Sequence, residues 1–362
     1  MDTQITNARL LQEIEAAAKK ITVIDPACRY WFIRTNGGEF YDDFKASKTI
    51  GIGYDLVPLF NARMTIQAKG DLGALVDTHY PGMSQPRRAA GLIHRFIMEM
   101  KPGDVVVIPS HHSQEFSFGI IQKGEPFEMT EKIAGLEQGF KKRRSVRWVV
   151  TKPRHLVEAN LRSAFVSYQT LSEATAYGDL IDREMYGLYT KAGRTHIKIE
   201  VGHIDGIYGR DYFKMGSAIF ELLDDLEAEL KLSPNPERIE FKTNVQSPGW
   251  LEFISQNSAL IIAIASITTV ALFGGGLRVK SWGLDLTTPG LFNSLTVFLN
   301  AKQRRKLTAQ ILKAKMAELE VEPVTEMMKA LHDPNESPKL DPTKAKEDEK
   351  PEKGSNSEPQ TS

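Results

Sequence analysis

One cysteine, Cys28, stands in 362 residues. That excludes an intramolecular disulfide and any cysteine-built zinc cluster within one chain, and it fits a reducing cytoplasm. There is no excess of either charge: Lys+Arg and Asp+Glu number 46 each. A nucleic-acid partner therefore needs a local basic patch rather than a global field. The first twenty residues have no apolar leader run, because Asp2, Glu13 and Glu15 interrupt them. They do not read as a secretory signal. They read instead as an amphipathic helix with Ile5, Leu10, Leu11 and Ile14 on one side. No Gly-x-Ser-x-Gly elbow occurs, and Gly274-Gly275-Gly276 lacks the Lys-Ser/Thr of a phosphate loop. No internal repeat is found, and no cofactor is implied. From Asp333 to Ser362 there are no aromatics, and Leu340 is the only large aliphatic residue. Such a tail cannot offset its ordering entropy and is expected to be disordered.

The remaining chain has the composition of a globular protein long enough for two or three cores. Five segments follow from its patterning: a helical lead-in over 1–25, a module of short apolar runs and turns over 27–160, a mostly helical connector over 161–232, an α+β unit over 236–310, and the tail over 333–362. The connector carries a strand at 196–201 and ends in a helix, Tyr212 to Leu232, with an acidic outer face. The predicted class is α+β.

Within 27–160, Tyr30-Trp31-Phe32-Ile33 is a β-rich run closed by the turn Asn36-Gly37-Gly38. A short helix over 39–46 and the strand Thr49–Tyr54 follow. A helix from Pro86 to Met100 leads to the turn Lys101-Pro102-Gly103-Asp104 and the strand Val105–Ile108. Strands over 117–122 and 146–150 complete the set. In this order the Tyr30-Trp31-Phe32 strand, the Ile50–Asp55 segment, the Met100–Asp104 turn running to Ser110-His111, and the Arg147-Trp148 strand resemble the PUA-like superfamily, EVE and YTH domains in particular. They are also similar to specificity modules of bacterial modification-dependent restriction systems. The resemblance covers 29–155 and departs from the EVE pattern after Tyr54, where no Arg- and Asn-rich pocket segment stands.

The resemblance implies a small β-barrel with helices, and a pocket that admits one unstacked or modified base. Aromatic faces would stack the base and polar groups would read its edge. Trp31, Tyr54 and Trp148 are the candidate faces; Asp55, Ser110 and His111 are the candidate edge readers. Core packing is the competing account for each aromatic, and a strand-end turn for Ser110 and His111. Lys141, Lys142, Arg143, Arg144 and Arg147 form the densest basic run and are the candidate phosphate contacts, a solvated hairpin being the alternative.

Catalytic patterns are sparse. Adjacent His111 and His112 point to opposite sides of an extended strand, which is poor geometry for one metal ion, so no metal site is expected. Glu240-Phe241-Lys242 has the Glu-x-Lys form of many Mg-dependent nucleases, with Asp224, Asp225 and Glu237 as unplaced acids. The charge-free stretch within 258–274 is shorter than the ~20 residues a spanning helix needs. It reads as a core or homo-oligomer helix, with membrane attachment as the alternative. Arg278, Lys280 and the 302–306 basic cluster would then mark the cytoplasmic side. The preferred expectation is a cytoplasmic nucleic-acid-binding protein, DNA or RNA, without catalysis, in a restriction-type defence setting. A membrane-anchored sensor of a nucleotide or small ligand and an Mg-dependent nuclease are the alternatives.

Overall fold

The computed structural model describes residues 2–129, 139–165, 169–202, 207–232, 239–245, 249–274 and 290–322. Residues 277–280, whose sequence alternates as a strand's would, and the tail at 333–362 lie outside them. The chain divides into two compact units, one drawn from 22–206 and 238–258, the other from 1–21, 207–237 and 259–362.

The first unit is α+β. Its strands are β1 (Val23–Ile24), β2 (Tyr30–Ile33), β3 (Thr49–Ile52), β4 (Val105–Pro109), β5 (Glu115–Ile121), β6 (Phe127–Glu128), β7 (Lys142–Pro153), β8 (Leu171–Glu173), β9 (Leu188–Lys191), β10 (Arg194–Val201), β11 (Glu240–Asn244) and β12 (Gly249–Ser255). A curled seven-stranded sheet runs in the order β3-β7-β5-β4-β2-β8, with β6 also on β7. The path is open: among the described residues its end strands β3 and β8 do not pair with each other.

The apolar runs at 30–33 and 105–108 lack polar alternation because the sheet is covered on both faces. Trp31, Ile33, Val106 and Ile108 join one core with Phe40, Phe44, Ile93 and Phe96. Tyr30, Phe32, Val105 and Val107 join the other with Phe116, Leu161, Phe165 and Ile181. β2 and β4 pair in parallel, so the chain between them must cross over. That crossover includes the short helix Tyr41–Ala46, the helices Leu59–Gln67 and Leu72–His79, and the helix Pro86–His94. The last widens into a π turn over Arg95–Glu99.

The second sheet, β1-β9-β10-β12-β11, takes strands from both sides of residue 206. The sequence grouped 236–310 as one unit. The structure instead pairs β12 with β10, carries β11 on the far side of β12, and assigns the following helices to the second unit.

That second unit is helical in its described residues: Asp2–Ala18, Gly209–Leu230, Ser258–Phe273, Gly290–Asn300 and Gln303–Glu318. The charge-free helix Ser258–Phe273 is buried from Leu260 to Ala271. Its hydroxyls donate to its own carbonyls, Ser266 to Ile262 at 2.7 Å and Thr269 to Ala265 at 2.7 Å, so no polar group is left bare. No helix among the described residues is long and apolar enough to cross a membrane. The 302–306 basic cluster has a different use from topology marking. Arg305 is buried against Phe298, and with Lys302 and Arg304 it pairs the acidic face of Gly209–Leu230 at Asp225 and Glu229.

Candidate functional site

Strands normally place alternate residues on alternate faces, so Trp148 and Thr151 should look in opposite directions. They do not. Opposite β5, Thr151 aligns with Ser117 and Trp148 with Gly119, while the register slips between Phe118 and Gly119. The extra residue on β7 is a β-bulge, and it brings Trp148 and Thr151 to one face with Ser117 and Gly119. Gly119 is required beneath the indole: a Cβ there would stand 2.7 Å from Trp148 Cε3 and 2.5 Å from Val146 Cγ1.

The short helix Tyr41–Ala46 lies over this face, presenting Tyr41 and Lys45 one turn apart. Trp148 Nε1 donates to the Phe44 carbonyl at 3.1 Å, and Lys45 Nζ lies 5.2 Å from the indole centroid. A hydroxyl chain then crosses the face. Lys45 Nζ donates to Thr151 Oγ1 at 2.8 Å; Thr151 Oγ1 and Ser117 Oγ are 2.8 Å apart; Ser117 Oγ and Tyr41 OH are 2.8 Å apart. Tyr41 OH reaches exposed Glu115 Oε2 at 3.4 Å, a long final link. Ser117 is fully buried and Tyr41 nearly so, whereas Lys45, Thr151 and Trp148 are part-buried. Burial pulls the Lys45 ammonium below the ordinary lysine range, against a smaller opposing pull from Glu115. Burial raises the Tyr41 phenol, with Glu115 adding to it against its hydroxyl partners. Among the described residues Lys45 forms no ion pair; the Thr151 hydroxyl is its hydrogen-bond partner.

The predicted site residues divide sharply. Trp148 and Ser110 fall on this assembly; Ser110 Oγ accepts the Glu115 N–H at 2.8 Å, and His111 follows in the exposed turn His111–Ser113. Trp31 does not join them. It is fully buried, its N–H spent on Asp104 Oδ2 at 2.8 Å, so no ring face is open to a base. Tyr54 packs edge-on to Tyr80, and Asp55 accepts the N–H groups of Gly139 and Lys141, pinning the start of β7.

The basic run is mostly internal. Lys142 is buried and donates to the Tyr54 carbonyl at 2.7 Å; burial lowers its pKa. Arg143 is fully buried against Asp43 (2.6 Å), the Phe140 carbonyl (2.6 Å) and Thr49. Arg144 donates to the Phe96 and Ile97 carbonyls at 2.7 and 2.8 Å, groups exposed by the π turn, and burial pulls it down to about 10. These three cannot reach a phosphate from where they lie. Lys141 and Arg147 are exposed, but Arg147 precedes the bulge and faces away from Trp148.

Glu240 and Lys242 stand exposed on β11 and pair with each other at 3.2 Å, Glu240 also with Arg194. No three His, Cys, Asp or Glu among the described residues are placed to hold a metal ion. A second polar cluster is neutralised internally. Lys152 meets Glu184 and Glu200 at 2.9 and 3.2 Å, Lys198 meets Glu200 at 2.7 Å, and Arg183 spans Glu158 and Glu252. Every cation there has a carboxylate in ion-pair contact; among the described residues Lys45 has none, Glu115 acting on it only from further off.

Tyr41, Lys45, Glu115, Ser117 and Thr151 were not singled out from sequence. The i, i+4 spacing of Tyr41 and Lys45 was readable; the bulge that completes their site was not. Residues 31–174 match a protein family described as Domain of unknown function (DUF8426), a stretch that holds the whole hydroxyl chain and Trp148. No curated protein matches the chain.

Proposed function

We propose that the part of the chain over 31–174 is a nucleic-acid-binding module of PUA/EVE-like kind that takes a backbone phosphate at Lys45. One observation carries the reading: a part-buried ammonium sits over an indole and donates to a hydroxyl, and among the described residues it forms no ion pair. Burying a cation without its counter-charge is unfavourable, and an incoming anion removes that penalty. The Trp148 ring lies between Gly119 and Lys45, so it fixes the ammonium rather than stacking a base. Of the basic run, exposed Lys141 is left as an outer phosphate contact, since exposed Arg147 faces away from the Trp148 side.

The test is anisotropy of labelled single-stranded oligonucleotides with the full chain over a salt series. Lys45→Met should weaken binding to all sequences alike and reduce the log–log salt slope by about 1, the signature of one lost phosphate contact. Its melting temperature should hold or rise, because a partly desolvated ammonium is replaced by an apolar side chain. If the wild-type chain binds no single- or double-stranded probe at low salt, or Lys45→Met binds as the wild type does, the reading falls.

A further inference from the structure

The turn between β4 and β5 is conformationally unusual. His112 and Ser113 hold φ of 53° and 54°, a left-handed region that favours glycine. The loop packed against it is also left-handed, at Asn36 (52°), Gly37 (70°) and Gly38 (110°). Gly38 touches the His111 backbone: a Cβ there would stand 2.3 Å from His111 Cα and 2.6 Å from its N. The turn is further closed by Ser113 N–H on the Ser110 carbonyl at 2.9 Å and by the paired Ser110 and Glu115. It therefore cannot relax without opening the contact with Gly38.

What this strained turn displays is two exposed imidazoles, centroids 4.1 Å apart and nearly perpendicular. Neither ring has a hydrogen-bond partner among the described residues, and neither contributes to a core. Backbone strain held by surrounding structure concentrates where a ligand is met. The turn also ends on Glu115, the last group of the chain that starts at Lys45.

We propose that His111 and His112 are the base-reading element of the module, contacting the base next to the phosphate on Lys45. This rests on the reading of Lys45 as a phosphate site. Phosphate contacts position a strand without reading it, so sequence preference needs a second group of this kind. Imidazoles supply both a ring face for stacking and a donor–acceptor pair for a base edge.

The experiment uses the full chain and single-stranded dA, dC and dT homopolymers at one fixed salt concentration. Wild type should discriminate among them. His111→Ala and His112→Gly should each shrink that preference by about tenfold, the scale of one base contact, while leaving the salt slope unchanged. His112→Gly should melt at or above wild type, since glycine adopts the same φ freely, which shows that the variant is folded. Lys45→Met should lose affinity for all three homopolymers equally. A wild-type chain without preference overturns the inference, as do His variants that keep the wild-type ratios. If those ratios persist while Lys45→Met still weakens every probe, only the histidine assignment falls. An inert Lys45→Met sinks the phosphate reading itself.

Discussion

Replacing Arg143 by methionine separates a structural arginine from a phosphate-binding one. The side chain is fully buried; its guanidinium forms an ion pair with Asp43 Oδ2 at 2.6 Å and donates hydrogen bonds to the Phe140 carbonyl at 2.6 Å, Thr49 Oγ1 at 3.1 Å and the Gly139 carbonyl at 3.3 Å. Methionine fills the stem's volume beside Phe44, so the cavity contribution is small. What remains is two carbonyls without donors, about 1–3 kcal/mol each, and a carboxylate without its cation. Relief of guanidinium desolvation offsets part of this. Breaking one side of a buried pair generally costs about 3–5 kcal/mol, and that is the expected loss here. At about 2–4 °C per kcal/mol for a unit of this size, melting should fall by about 6–20 °C. Urea titrations followed by circular dichroism give the free energy directly. Adding Asp43→Asn should recover part of it, with a coupling of about 0.5–3 kcal/mol. A loss below about 1 kcal/mol, the range of an exposed pair, together with weakened oligonucleotide binding would refute the burial argument.

Two further outcomes follow from neighbouring geometry. Gly119→Ala should destabilise by about 1–3 kcal/mol and shift indole fluorescence, because the new methyl must lift Trp148 off the strand; unchanged emission would contradict the packing. Glu200 is held down to about 2: burial alone would raise it, but Lys198 and Lys152 outweigh that. A depressed carboxylate contributes stability above its unfolded pKa of about 4.3 and loses it as pH falls through the folded value. Melting temperature should therefore drop from about pH 4.5 towards 2, and Glu200→Gln should flatten that descent; parallel curves for the two proteins would exclude this pairing.

Local patterning made part of the fold legible. The apolar runs at 30–33 and 105–108 became central strands, the strand expected at 196–201 lies within β10, and the alternating residues 239–245 hold β11. The sequence left β8, β9 and the helices Leu59–Gln67, Leu72–His79 and Gly178–Met185 unread. β8 and β9 are three and four residues long, too short to show a period; β8 pairs with the distant β2, and β9 pairs with β10 across a two-residue turn. The grouping of 236–310 failed for a related reason. Adjacency in sequence suggested that the Ser-Pro-Gly strands and the apolar helix form one unit, yet β12 is paired along its whole length with β10.

The basic run shows why charge density misled while a solitary lysine did not stand out. In β7, alternation sends Arg143 towards Phe44 and Arg144 towards Phe96, into different surroundings. Each is met by backbone carbonyls that irregular segments leave over, the 139–140 loop for one and the π turn for the other. Those carbonyls carry no mark in the sequence, so the run reads as a surface patch although its centre neutralises the interior. Lys45 has the reverse history. It sits in a six-residue helix beside Asp42 and Asp43, and its distinction is that among the described residues it forms no ion pair and donates instead to Thr151, which a bulge a hundred residues away turns towards it. For a cation, then, the useful question is how much of its hydrogen-bonding and charge remains unspent after folding. By that measure the proposed anion site is one ammonium over Trp148, and the buried arginines Arg143 and Arg144 are part of the wall.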